Sequence, residues 1–146
     1  MNQDETYAAI KNAFKKLRKY GLICRMRHLC CMSCASSDLG QKCDERNKDG
    51  AVYFHRQDYD GFFGDANDRW GRSYRRYNPN HESTLMIRFF SATEDKDNSK
   101  VTTKDVGELA YVALEDEGLD LEWDGSPHHC ISVIANRKVE EETVAA

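Results

Sequence analysis

Residues 102–134 read TTKDVGELAYVALEDEGLDLEWDGSPHHCISVI, and this stretch decides the fold class. The Thr102-Thr103-Lys104-Asp105 segment offers a helix cap. Val106, Leu109, Ala110 and Ala113 supply an apolar face at helical spacing, and Gly118 supplies the stop. The period then changes. Leu119, Leu121 and Trp123 alternate as a strand, Asp124-Gly125 makes a tight turn, and Cys130 to Ile134 returns as a second strand.

Working toward the N-terminus, Ser91 to Lys100 is a charged loop and Leu85 to Phe90 a strand. Gln57 to His81 reads as irregular, rich in glycine, Asp/Asn and aromatics; a stretch that long is a functional loop or partly helical. Ala51 to Arg56 is a strand with Ala51, Tyr53 and His55 on one face and Val52 and Phe54 on the other. Cys30 to Gly40 reads as a turn with at most one helical turn, and Gln41 to Gly50 as a polar loop. Leu22 to Met26 is a short strand. Before it, Tyr7, Ile10, Phe14 and Leu17 mark an amphipathic helix that starts at Asp4-Glu5 and ends at Gly21. The order helix, three strands, helix, two strands predicts an α+β single-domain sandwich. Two helices pack on one face of a mostly antiparallel sheet of about five strands, over residues 1–136, and 137–146 form a flexible acidic tail.

With 146 residues the chain is most simply one domain with a real core. It has no apolar run of transmembrane length and no signal-peptide stretch at Met1–Glu5, so it is expected to be cytoplasmic and off the membrane. In a reducing compartment its six cysteines are thiols or metal ligands rather than disulfides. The net charge of −4 is unevenly spread. Residues 1–90 carry 16 Lys+Arg against 11 Asp+Glu, whereas residues 91–146 carry 5 against 14. The basic charge gathers in Lys11 to Arg27 and in Arg69 to Tyr77, where Arg69, Arg72, Arg75 and Arg76 interleave with Trp70, Tyr74 and Tyr77. Such a division steers polar partners, or it simply faces water.

The clearest sign of chemistry is His28-Leu29-Cys30-Cys31-Met32-Ser33-Cys34, with three thiols and an imidazole in seven residues. Cys31 and Cys34 form a C-x-x-C pair. Two thiolates at that spacing serve one tetrahedral metal ion as half a zinc site, or close a reversible disulfide if one thiol is acidified. Buried structural thiols are the third option, because free Cys often packs as a small apolar residue. Cys30, adjacent to Cys31, points elsewhere unless the backbone bends. A full zinc site needs two more ligands, with His28, Cys43, His55, His128, His129 and Cys130 as candidates; His55 and Cys130 sit at strand ends, where they could face the cluster. His55-x-Gln57-Asp58 is the best polar constellation, His as metal ligand or general base and Asp58 orienting it or a water, unless Gln57 and Asp58 only satisfy backbone groups at the strand end.

Three segments in order, Cys30–Cys34, Gly50–Asp58 and Gly118–Pro127, resemble a bacterial family known only as a domain of unknown function. Its members carry a Cys-Cys-x-x-Cys segment, then a Gly-Tyr-Val-Phe-Phe-His-Gln-Gln-Asp-like strand, then a helix that runs into a Glu-Trp-Asp-Gly turn. The resemblance spans about residues 7–134 and implies a fold unit without an activity. It marks Cys30, Cys31, Cys34, His55, Gln57, Asp58, Trp123 and Asp124. Arg56 and the 69–77 insert depart from the pattern, and the chain suits a bacterial or a phage gene.

Phosphate loops, nucleophile elbows and His-Glu-x-x-His helices are all missing from the sequence, so an enzyme is the less favoured class. The first expectation is a non-catalytic binding protein with a cysteine-rich structural zinc site, composed of Cys31, Cys34, Cys30 and His55, and with a macromolecular partner. The second is nucleic-acid binding through the 11–27 helix and the 69–77 loop, by Arg69, Trp70, Arg72, Arg75 and Arg76. A pI of about 5.7 weighs against it. The third is a metal or thiol enzyme built on Cys31, Cys34, His55 and Asp58.

Overall fold

The computed structural model describes residues 1–63, 65–67, 73–75, 82–94 and 101–137. Helix α1 (Gln3–Leu17) opens on a reciprocal cap. The Asn2 side chain accepts the Glu5 N–H at 2.8 Å, and the Glu5 carboxylate accepts the Asn2 N–H at 3.1 Å. After a 3₁₀ turn at Arg18–Tyr20, Gly21 takes the left-handed φ of 81° and turns the chain into β1 (Leu22–Arg25). Helix α2 (Met32–Arg46) leads to β2 (Gly50–Tyr53), and α3 (Arg56–Phe63) follows. Strands β3 (Asp65–Asn67) and β4 (Ser73–Arg75) form a small antiparallel ladder. Strand β5 (Ser83–Ser91), helix α4 (Thr103–Asp116) and the strands β6 (Asp120–Glu122) and β7 (Ile131–Ala135) complete the chain.

Five strands make one mixed sheet in the order β1-β2-β5-β7-β6. β1 and β2 run parallel, with Leu22 beside Gly50, and every other pairing in that sheet is antiparallel. All five strands read from the sequence are present, and so are the α1 and α4 helices; α4 has the expected cap, Thr102 and Asp105 exchanging bonds of 3.1 and 2.9 Å.

The sequence reading underestimated the helices, because there are four among the described residues rather than two. Residues 32–46 form a helix where a turn and a polar loop were expected. It serves as the crossover of the parallel β1–β2 pair, since parallel neighbours need a connection of about a dozen residues or more, usually a helix. Likewise the strand expected over 51–56 stops at Tyr53, and Arg56 begins α3.

The extra helix changes the layering. Ile10, Phe14 and Leu17 of α1 and Val106, Ala110 and Leu114 of α4 join one core cluster with Leu22, Val52, Leu85, Ile87, Ile131 and Val133. On the opposite side Ala35, Leu39 and Cys43 of α2 cover Ile23, Ala51 and Tyr53. Every residue of β2 is therefore buried: the alternation read from the sequence holds, with Ala51 and Tyr53 facing α2 and Val52 facing the larger core, but both faces are covered. Gly50 permits the close approach of β2 to β5: a Cβ there would meet the Phe90 carbonyl oxygen at 2.2 Å.

No described helix is long and apolar enough to cross a membrane. Of the 137–146 tail only Arg137 is among the described residues, and it pairs with Asp120 and Glu122.

Candidate metal centre

The cysteine segment sits where the chain leaves β1 and enters α2. Three backbone bonds tie this turn to the chain that follows β2: Phe54 N–H to the Arg25 carbonyl at 3.3 Å, His28 N–H to the Phe54 carbonyl and Arg56 N–H to the Leu29 carbonyl, both at 2.9 Å. Arg27 and Leu29 hold left-handed φ values of 52° and 59°. Non-glycine residues adopt that region at a cost of about 1 kcal/mol or more each, so the surrounding bonds must hold the turn in shape. A side-chain brace adds to them. His28 Nε2 and Lys42 Nζ each lie 2.6 Å from Asp38 Oδ2, joining the turn to the second and third turns of α2. Hydrogen bonding to Lys42, and then to His28, holds the Asp38 carboxyl below its ordinary range.

Cys31 is the N-cap residue of α2, with extended backbone, and its carbonyl accepts the Ala35 N–H at 3.0 Å. Cys34 follows in the first helical turn. The sulfurs of Cys30 and Cys31 lie 3.7 Å apart, and the ligand atoms of Cys30, Cys31 and Cys34 all fall within 4.8 Å of one another. Among the described residues this is the one group of three or more such side chains close enough to hold a metal ion. Cys30 and Cys34 are exposed and Cys31 is half-buried.

The Cys31 side chain closes no capping bond, but the Cys34 backbone N–H, and then the neighbouring thiols, hold the Cys31 thiol below its ordinary value. The same proximity to Cys30 and Cys31 pushes Cys34 up to about 11.

His55 is placed elsewhere. It is 3% exposed and lies outside the group of thiols. Its Nδ1 accepts the Asp58 N–H at 3.2 Å, and its Nε2 faces Asp58 Oδ2, also at 3.2 Å. Asp58 in turn accepts two bonds from Arg88, at 2.9 Å from Nε and 3.1 Å from Nη2. Burial, helped by Arg88 and opposed by Asp58, keeps His55 below the ordinary imidazole value. Its ring nitrogens are thus engaged within the network, and the sequence signal that paired it with Asp58 was sound. Arg88 links this network to the cysteine segment, its Nη1 lying 3.5 Å from the Met32 sulfur. Beside that contact a cleft of about 150 Å³ is lined by Met32, Tyr53, Arg88, His128, His129 and Cys130, among others. Arg88 is the functional-looking residue that sequence reasoning missed; a single arginine in an otherwise apolar strand, Leu85 to Phe90, was the available signal.

The other proposed ligands are dispersed. Cys43 is buried in the smaller core cluster; Cys24, never a candidate, is buried in the larger one, where burial pushes its thiol up to about 12. Cys130 is half-buried, and its thiol is likewise raised, chiefly by burial. His129 pairs with Asp124 in the β6–β7 turn, where the Trp123 indole N–H reaches the carbonyls of Ser126 and His129 at 3.0 Å. On the 69–77 stretch, Arg69, Trp70, Arg72 and Arg76 lie outside the described residues. Arg75 is placed only as the β4 backbone partner of Asp65.

Residues 2–67 match a family model described as a domain of unknown function, DUF6891. The match takes in Cys30–Cys34 and Gly50–Asp58 and ends ahead of the Gly118–Pro127 segment. No curated protein and no solved structure matches the chain.

Proposed function

We propose that Cys30, Cys31 and Cys34 bind one soft, tetrahedral metal ion of the zinc class, and that the protein works by binding a macromolecular partner rather than by turnover. The observation that carries the reading is the spacing of the sulfurs. Zinc–thiolate bonds of about 2.3 Å put tetrahedral sulfurs about 3.8 Å apart. Cys30 and Cys31 already stand 3.7 Å apart, with Cys34 close by. Three thiolates leave one coordination position for water or for a donor from a partner. Bound zinc would supply the positive charge that lets Cys34 ionise beside its neighbours. The role of a binding protein draws on the division of charge between the first 90 residues and the rest.

Elemental analysis of protein purified without chelator, with free thiols counted alongside, tests the reading. One zinc per chain, reduced to none by Cys31→Ser, is the expected outcome. No metal with six free thiols, and no proton release on adding zinc, would sink it.

A redox role is the second reading, and the unequal thiols favour it. An acidified Cys31 at a helix start, followed by a Cys34 that holds its proton, is the arrangement of an attacking and a resolving thiol. Metal-free protein with two thiols missing would select it over zinc.

A further inference from the structure

The outward face of α4 breaks the pattern of the rest of the molecule. On α4 the core takes Val106, Gly107, Ala110, Ala113 and Leu114. Leu109, expected on that core face, is instead 37% exposed, and Val112 is 55% exposed. With Ala113 they form the floor of a groove of about 440 Å³ that runs between α4 and the end of α1, where Lys16 and Tyr20 make the opposite wall. Tyr20 is itself 63% exposed. Asp105, Glu108 and Asp116 stand along the α4 side. The charge of Lys16 is matched by Glu117 at 2.7 Å, and Lys104 approaches Glu108 only at 4.0 Å. The groove is therefore apolar at its base and acidic at its rim.

We propose that this groove docks an amphipathic helix of a partner protein, one with an apolar ridge flanked by lysine or arginine. The steps from Asp105 to Leu109, Val112 and Asp116 are four, three and four residues, the spacing at which one helix presents a row of side chains to another. A ridge of large aliphatic side chains fills the floor, and basic flanks meet the three carboxylates. Charge complementarity selects this occupant over the two nearer ones. In a two-fold dimer made through this face, the same patch would meet itself and set acid against acid. The chain's own C-terminal segment carries Glu140, Glu141 and Glu142 and would meet the rim with like charge. The groove needs no metal, so this inference is independent of the thiol site.

The test uses the full chain and a fluorescein-labelled 18-residue helical peptide of leucine and lysine, its leucines on one face, followed by fluorescence anisotropy. A leucine–glutamate peptide of the same pattern is the control. The proposal expects the lysine peptide to bind at least tenfold tighter than the control. Leu109→Ser with Val112→Ser should then weaken it at least tenfold while every rim charge is kept. Glu108→Gln with Asp116→Asn should weaken it several-fold and flatten its salt dependence. Equal binding of the two peptides overturns the proposal. So does an affinity unmoved by the Leu109/Val112 replacement, which would reduce the effect to bulk charge. Sedimentation as a dimer that the same replacement dissociates would assign the groove to a second copy and overturn it as well.

Discussion

The two faces of the sheet carry very different loads. On the side of α1 and α4, the core is broad and apolar, built around Phe14, Phe54, Leu85, Ile87, Leu114 and Ile131, all fully buried. On the side of α2 it is a small cluster of six residues, three from the helix and three from β1 and β2. The polar features gather toward the thin side. Arg88 shares its β5 face with Phe90, which packs on the α2 cluster, and it reaches Met32 at the helix start. The three close-set thiols lie at that same helix start, outside both clusters. The contrast teaches a division of labour: most of the buried apolar surface lies on the thick side, and the three exposed or half-buried thiols lie outside both clusters.

The largest expected effect tests that division directly. Phe14→Ala removes a fully buried ring that packs 6.2 Å, centroid to centroid, from Phe54, and should cost about 4 kcal/mol. Leu39→Ala on the α2 side should cost about 2–3 kcal/mol, because a surface helix can settle over the gap. Urea unfolding monitored by circular dichroism measures both. Equal losses would break the comparison.

Removing Arg88 should come next. Its carboxylate partner Asp58 has a side chain only 6% exposed, while Arg88 is 23% exposed. Arg88→Ala strands a buried charge, at a cost of about 3 kcal/mol, the low end for such a pair because one partner still touches water. Arg88→Ala combined with Asp58→Asn should recover part of the loss, which a double-mutant cycle reads out.

Zinc sharpens the comparison further. Saturating zinc should raise the midpoint of thermal unfolding by roughly 5 °C, through ligand binding to the folded form alone. Cys31→Ser should abolish that rise and leave the metal-free midpoint where it was. A metal-free Cys31→Ser protein that melts well below its parent would place the thiols inside the fold's support.

The smallest effect concerns acid. The folded state holds the imidazole of His55 below its ordinary value of 6.5. Between the two values the unfolded chain binds the extra proton, so stability falls as pH drops below about 6.5 and is level above it. Replacing His55 with Gln should flatten the curve over that window. An unchanged slope would assign the acid sensitivity to other groups.

Much of the thick side was legible because it obeys local rules. The Tyr7–Leu17 stripe, the Thr102 cap and Gly118 each carry their own signal, whereas the tight turn expected at Asp124-Gly125 is a longer connection, from Trp123 to Cys130. Helix α2 was not legible. Ser33, Ser36, Ser37 and Gly40 are poor helix formers, and its only buried stripe is Ala35, Leu39 and Cys43. Reading Cys43 as an apolar residue would have completed an i, i+4, i+8 pattern. Of the candidate site, the cysteines were visible as spacing, whereas His55 was misplaced among them because its neighbour in space, Arg88, lies 33 positions along the chain.

Taken alone, the sequence determined the five strands, the two helices of the thick side, and a crowding of thiols within five residues. Those follow from periods of two and 3.6, from caps and turns, and from adjacency, all of which act over a few residues. Only the tertiary structure decided that β1 and β2 run parallel, that the crossover between them is the helix at residues 32–46, and that the helix start brings Cys34 back beside Cys30 and Cys31. It also drew His55 away into the network with Asp58 and Arg88. Strand pairing and the burial of charge depend on groups far apart in the chain, and no local pattern records which of them will meet.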